Sequence, residues 1–170
     1  VYGKDSNNPL VKFAMMKFTP NGLSFEDKPY KGAFLSTTTA VTNNSDKVIL
    51  YSNGCSVFNK LGEIMKGGDT INSPVNGYWL TFCDLGYKST MGIYPIPNPA
   101  DTNQIYLIHQ RRDLSQAGTY ALQYSLIDMG KEDGLGAVIK KDQVLIQGDL
   151  ESSAAVRHGN GRDWWIIMPD

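Results

Sequence analysis

Residues 153–170, SAAVRHGNGRDWWIIMPD, contain the pattern that decides the fold. This pattern predicts one strand over 154–158, a tight turn at Gly159-Asn160-Gly161 and a second strand that starts at Trp164. Glycine adopts positive φ values without a steric cost, and asparagine tolerates them better than most residues, so the turn closes a hairpin without strain. The adjacent Trp164 and Trp165 then point to opposite faces of the sheet.

The same order of turn and apolar strand occurs twice earlier, as VILY at 48–51 and IYLI at 105–108. The three strands start at Val48, Ile105 and Trp164, which are 57 and 59 positions apart. A nearly constant period in an all-β chain indicates repeated sheet units, and propeller blades are the commonest such unit. The period is longer than the roughly 40–50 residues of common blades. A β-sandwich with coincidental spacing is the alternative.

The rest of the chain reads as an antiparallel meander with short, turn-rich loops. Residues 67–88 differ, because they contain several glycines and few strand signals, and 111–117 form a polar loop. No window has the periodicity of a solid amphipathic helix. Further strands are predicted over 11–18, 23–25, 33–42, 55–59, 64–65, 91–96, 120–129 and 144–146.

Composition excludes several classes of function. Sixteen basic and seventeen acidic residues give a net charge of −1, and no basic stripe is present, so a nucleic-acid partner is not expected. No apolar run approaches the roughly 18 residues of a membrane span. Catalytic and phosphate-binding motifs are missing, and the two Cys and two His lack a paired-ligand spacing, so we predict no catalytic residue, no cofactor and no metal.

Three segments carry a resemblance to a known family: ILYSNGCSVFNKLGEIM (49–65), LQYSLIDMGKEDGLGAVIKKDQVLI (122–146) and AAVRHGNGRDWWII (154–167). Together they resemble the propeller modules of secreted and cell-surface proteins of Bacteroidota, which often carry a C-terminal sorting domain for type IX secretion. The likeness covers roughly residues 40–168. Asp133 stands near a position where the family usually has Asn, and Gly159 stands where it usually has Ala.

The resemblance implies an all-β fold of β-propeller-like antiparallel blades. Residues 1–170 are then expected to be one partial propeller domain, with lead-in strands over 1–39, a first blade unit with a long loop over 40–89, a second unit over 90–150 and the start of a third over 151–170. Because a propeller closes with about 4–8 blades, we expect the N-terminal two to three blades of a larger propeller, continued by further blades or completed by other chains.

An extracellular setting allows a disulfide between the two cysteines, and these lie before the irregular segment (Cys55) and near its end (Cys83). An even number of cysteines in a secreted chain favours a disulfide between Cys55 and Cys83, and two unrelated buried thiols are the alternative. A disulfide would also explain how a long glycine-rich segment stays ordered. We interpret His158, Asn160 and Asp163 as a structural turn.

The end of the IYLI strand offers a candidate contact loop, formed by His109, Arg111, Arg112 and Asp113. Its two guanidinium groups could bind carboxylates or anionic glycans, and a solvated turn is the alternative interpretation.

The function expected from these features is that of a non-enzymatic secreted or outer-surface module acting in adhesion, in protein or glycan binding, or in surface assembly. One alternative is a propeller-type hydrolase or lyase whose catalytic residues lie outside this segment. The other is a structural subunit of an extracellular filament or complex.

Overall fold

The computed structural model describes residues 13–28, 32–34, 36–72, 77–115 and 119–169. These residues form eleven strands, one short helix, α1 (Gly77–Phe82), and one 3-10 turn, Glu132–Gly134. The strands are β1 (Phe13–Thr19), β2 (Gly22–Lys28), β3 (Thr39–Thr42), β4 (Val48–Ser52), β5 (Val57–Asn59), β6 (Ile93–Pro97), β7 (Gln104–Arg112), β8 (Thr119–Asp128), β9 (Ala137–Leu150), β10 (Ala154–Arg157) and β11 (Trp164–Ile167).

All pairings between these strands are antiparallel, which confirms the predicted all-β antiparallel class. Strands β1 and β2 form an N-terminal hairpin. The first sheet contains β3, β4 and β5, the second contains β6 to β9, and the third contains β10 and β11. Strand order follows chain order in each sheet, so each is a meander made from local hairpins.

The three periodic positions fall at matching places in three different sheets. Val48 is the first residue of β4, Ile105 is the second residue of β7 and Trp164 is the first residue of β11. Each of these strands is the second of its sheet. The 57- and 59-residue intervals therefore reflect a repeated strand–turn–strand unit.

Both faces of the second sheet are packed, one against the first sheet and the other against the third. Ile105 and Leu107 of β7 belong to a core shared with Leu50 and Val57 of the first sheet. Ile108, on the opposite face of β7, belongs to a core that also includes side chains of the third sheet. Alternate residues of one strand thus serve two separate cores, because successive side chains point to opposite faces.

The two edges of the second sheet carry sequence features that suit an edge. Strand β6 contains Pro95 and Pro97, which cannot donate to a ladder and are tolerated on an edge strand. Strand β9, the other edge, pairs with β8 through several register shifts and exposes Lys140, although Val144, Leu145 and Ile146 are also about half exposed. Prolines and bulges of this kind discourage edge-to-edge association.

Four local predictions were wrong. Residues 64–65 form no strand, since Ile64 makes only an isolated bridge with Phe58. Among the described residues of 33–42, only Thr39–Thr42 form a strand, and Thr37 bonds Ser89 through its side chain. Residues 111 and 112, predicted in a loop, extend β7 because they pair with Ala121 and Thr119. The segment 67–88 contains α1, a helix that tertiary contacts hold, since six residues are too few for a stable isolated helix.

The disulfide between Cys55 and Cys83 is present, which confirms that prediction. It joins the first sheet to the segment that contains α1, where Tyr78 and Tyr87 pack in the same small core. Gly54 has a φ of +79°, and a Cβ there would lie 2.6 Å from the Cβ of Tyr87. Only glycine permits this close approach of the hairpin to the segment.

Replacing both cysteines by serine should lower the free energy of unfolding by about 3–4 kcal/mol, because the bridge closes a loop of 28 residues in the unfolded chain. Urea unfolding of the double variant and of the oxidised parent measures this difference. A reducing agent should destabilise the parent and leave the variant unchanged. Equal unfolding midpoints for the two proteins would contradict the prediction.

Candidate functional site

His109 lies inside the protein, on the face of β7 that is turned toward the first sheet. Its side chain has no exposed surface. The Nδ1 atom is 2.7 Å from Oδ1 of Asn72, and the Nε2 atom is 3.0 Å from Oγ of Ser125. This burial corrects the prediction that His109 belongs to a contact loop, since the histidine points into the interface between two sheets.

The neighbouring hydrogen bonds determine which ring nitrogen of His109 carries the proton. Asn72 donates its side-chain N–H to the carbonyl of Gly54 at 2.9 Å, which leaves Oδ1 as the acceptor for Nδ1–H of His109. Ser125 Oγ accepts the backbone N–H of Asp142 at 3.2 Å and is therefore free to donate its own proton to Nε2. These roles require a neutral imidazole protonated on Nδ1.

Two left-handed residues hold this network from opposite sides. Asn72 and Asp142 have φ values of +66° and +53°, a conformation that Asn and Asp adopt more readily than most residues. The backbone N–H of Asn72 donates to Oδ1 of Asp142 at 2.9 Å. The network therefore ties the segment after the first sheet to β9, the outer strand of the second sheet.

Ser125, His109 and Asn72 follow the bonding order of a nucleophile, a general base and an orienting residue. In hydrolases the nucleophile must meet a substrate carbonyl. Here Ser125, His109 and Asn72 each have no exposed surface, so no substrate reaches the serine oxygen. The arrangement serves to satisfy buried polar groups between two sheets, which would otherwise be costly.

Burial lowers the pKa of His109 from 6.5 to about 4, and the Asp142 carboxylate, 3.7 Å from Nε2, opposes this shift. The imidazole is thus neutral near pH 7, in agreement with the bonds it makes.

The predicted structural turn is a self-contained set of hydrogen bonds at the tip of the β10–β11 hairpin. Asn160 Oδ1 accepts the backbone N–H groups of Arg162 and Asp163, both at 3.0 Å. His158 Nδ1 accepts the N–H of Asn160 at 3.1 Å. The pKa of Asp163 falls to about 2, because the Arg162 guanidinium and the Asn160 amide donate to its carboxylate.

Arg111 and Arg112 lie at the end of β7, where each guanidinium group rests on a tyrosine ring. The distance from the guanidinium carbon to the ring centroid is 5.2 Å for Arg111 over Tyr120 and 5.6 Å for Arg112 over Tyr78. Asp113 is partly exposed, and its carboxylate accepts the backbone N–H and the hydroxyl of Ser115. Of the four residues predicted as one contact loop, the structure leaves these three at the surface end of the strand.

An open groove of about 470 Å³ lies between the second and third sheets. Its lining is mainly apolar, and Asp163 is its charged residue. The apolar part comes from both sheets and includes Ile96, Tyr106, Tyr124, Leu145, Trp164 and Ile166.

Sequence reasoning missed the partners of His109. Ser125 sits among apolar residues on the buried face of β8, and such a polar residue signals a buried partner on the neighbouring strand. Asn72 and Asp142 carry no comparable signal, because they lie 37 and 33 positions from His109 in irregular or edge segments.

Within the part of the chain that the structure describes, no group of three or more His, Cys, Asp or Glu residues is placed to bind a metal ion. No helix among the described residues is long and apolar enough to cross a lipid bilayer. Comparison with protein-family models, with curated proteins and with solved structures gave no match to this chain.

Stability should fall as the pH is lowered from 6.5 to 4, because over this range the unfolded chain binds a proton at His109 that the folded protein does not bind. The loss attributable to His109 should approach about 3 kcal/mol at the acid end of the range. In His109→Gln this part of the pH dependence should disappear. Urea unfolding at a series of pH values measures it.

The chain offers a matched control in its other histidine, since His158→Gln changes the same residue type in the hairpin tip. This variant should keep the acid-dependent loss of the parent. An unchanged pH profile in His109→Gln would show that His109 does not carry the effect.

Proposed function

We propose that the chain is a non-enzymatic module of a secreted or cell-surface protein, built from propeller-type blades, which acts in adhesion or surface assembly by binding protein or glycan partners. The meander sheets with matching strand positions support the blade arrangement. The disulfide supports an oxidising, extracellular setting.

The observation that carries the proposal is the uncovered outer face of the third sheet. Val156, Trp165 and Ile167 share this face and are 49%, 58% and 60% exposed. Soluble monomers rarely present large contiguous apolar patches, and such patches usually mark interaction surfaces.

The other two sheets show what this face is suited to bind. In the first sheet, Val41 and Leu50 pair with each other and pack toward the second sheet. In the second, Tyr94 and Ile108 pair in the same way and pack toward the third. Val156 and Trp165 are the corresponding pair of the third sheet. The occupant that fits is therefore a further antiparallel sheet with an apolar face.

A second uncovered apolar face lies on the N-terminal hairpin. Met16 pairs with Phe25 and Phe18 pairs with Leu23, so all four side chains lie on one face of the hairpin. Their exposed fractions range from 48% to 78%. Both ends of the described run of sheets thus present apolar surface, and in the proposed arrangement further blades or other chains cover it.

The purified chain should associate with itself through the outer face of the third sheet, because another copy supplies an apolar sheet of the same kind. Trp165→Glu should shift the protein to the monomer by placing a charge at the centre of this face. Sedimentation velocity over a concentration series measures the change.

Leu61→Glu is the matched control, since Leu61 is 63% exposed but lies in a turn of the first sheet. It should associate like the parent. A parent that stays monomeric at every concentration, or a Trp165→Glu variant that associates as strongly as the parent, would count against the face as an association surface.

A further inference from the structure

The end of β7 holds a cluster of two arginines and three tyrosines, which we name the arginine–tyrosine cluster: Arg111, Arg112, Tyr78, Tyr87 and Tyr120. Arg111 rests on Tyr120 and Arg112 rests on Tyr78. The Tyr87 hydroxyl accepts the backbone N–H of Arg112 at 2.7 Å. Burial raises the pKa of Tyr87, and the Arg112 backbone N–H and the charges of both guanidinium groups oppose that shift.

The contact between Arg111 and the Tyr120 ring lies at a β-bulge. Arg111 pairs with Ala121 and Arg112 pairs with Thr119, so Tyr120 is an extra residue in β8 without a partner on β7. Bulges re-aim side chains and are frequent near functional sites. The Tyr120 ring at this bulge lies beside the guanidinium group of Arg111.

The positive charge of Arg111 is not neutralised by an ion pair with any residue that the structure describes. The nearby acidic residue Asp113 accepts the N–H of Ser115 at 2.9 Å and its hydroxyl at 2.7 Å, and it interacts with Arg111 through charge only, without a direct ion pair among the described residues. Arg111 Nε is enclosed and has no partner among the described residues. Arg111 as a whole is partly exposed, so a ligand can approach this residue from solvent.

The surrounding polar groups are already bonded to one another. Gln110 Oε1 accepts the hydroxyl groups of Ser89 and Thr119 at 2.9 and 3.2 Å, and the Tyr87 oxygen accepts from the backbone. The cluster consequently offers cationic donors and few free acceptors. Sugar hydroxyl groups need acceptors as well as donors, whereas a carboxylate needs donors alone and matches the planar fork of a guanidinium group.

We propose that the arginine–tyrosine cluster binds side-chain carboxylates of an acidic segment in a partner protein. This inference rests on the proposed function and names the chemistry of one of its contacts. The tyrosine rings hold the guanidinium group in place, so less side-chain freedom is lost when the carboxylate binds.

Fluorescence anisotropy with a labelled hexaglutamate peptide tests the proposal. The parent should bind the peptide at low salt, and added salt should weaken binding. Arg111→Gln should weaken it by about tenfold or more, since hydrogen bonds to charged groups are worth about 1.5–3 kcal/mol each. Arg111→Lys keeps the charge but loses the fork, and it should fall between the two.

Arg162→Gln is the matched control, because Arg162 is an exposed arginine on the β10–β11 hairpin and pairs with Asp163. It should bind hexaglutamate like the parent, and a hexaglutamine peptide should not bind. Three results would overturn the proposal: no binding by the parent, equal binding by the parent and both Arg111 variants, or preferential binding of trigalacturonate, which would place the carboxylate on a glycan.

This test is independent of the association surface of the third sheet. Arg111→Gln should self-associate like the parent in sedimentation velocity, since Arg111 lies on β7 and not on β10 or β11. Loss of peptide binding with normal self-association would support the cluster and leave the proposed function intact. Failure of self-association with retained peptide binding would contradict the association surface alone.

Discussion

The architecture depends on burying the second sheet on both faces. In its strand β7, Leu107 lies in the core shared with the first sheet, and Ile108 lies in the core shared with the third. Removing apolar surface from water on both sides of one strand is the main force that holds three small sheets together. Each outer sheet is small, and a two-stranded hairpin is only marginally stable alone.

The same strand places one buried polar residue on each face. His109 joins Asn72 and Ser125 on one side. On the other side, Gln110 accepts from Ser89 and Thr119. Buried polar groups must find partners of the right geometry. The His109 network joins the second sheet to the segment that follows the first sheet, and it therefore restricts how these two parts can slide against each other.

Polar groups in the interior and at the surface of the protein differ in how completely they are hydrogen-bonded. The Ser125–His109–Asn72 group resembles catalytic machinery in its bonding order, yet it is enclosed and its hydrogen bonds are mutually satisfied. Surfaces with capacity to bind are the apolar outer face around Trp165 and the cationic end of β7 around Arg111. Both surfaces are the ones that the proposed binding function uses.

The sequence alone determined the meander, the repeat and the turn residues, because hairpins depend on residues close together in the chain. The periodic starts at Val48, Ile105 and Trp164 needed only alternation and turn signals to be found. The Cys55–Cys83 pair could be predicted from the count of cysteines and the extracellular resemblance. Only the tertiary structure decided that α1 forms, that Arg111 and Arg112 extend β7, and that His109 is buried. Those outcomes depend on contacts between distant parts of the chain, such as the 37-residue separation of Asn72 and His109, and local patterns carry no information about which distant residues will meet.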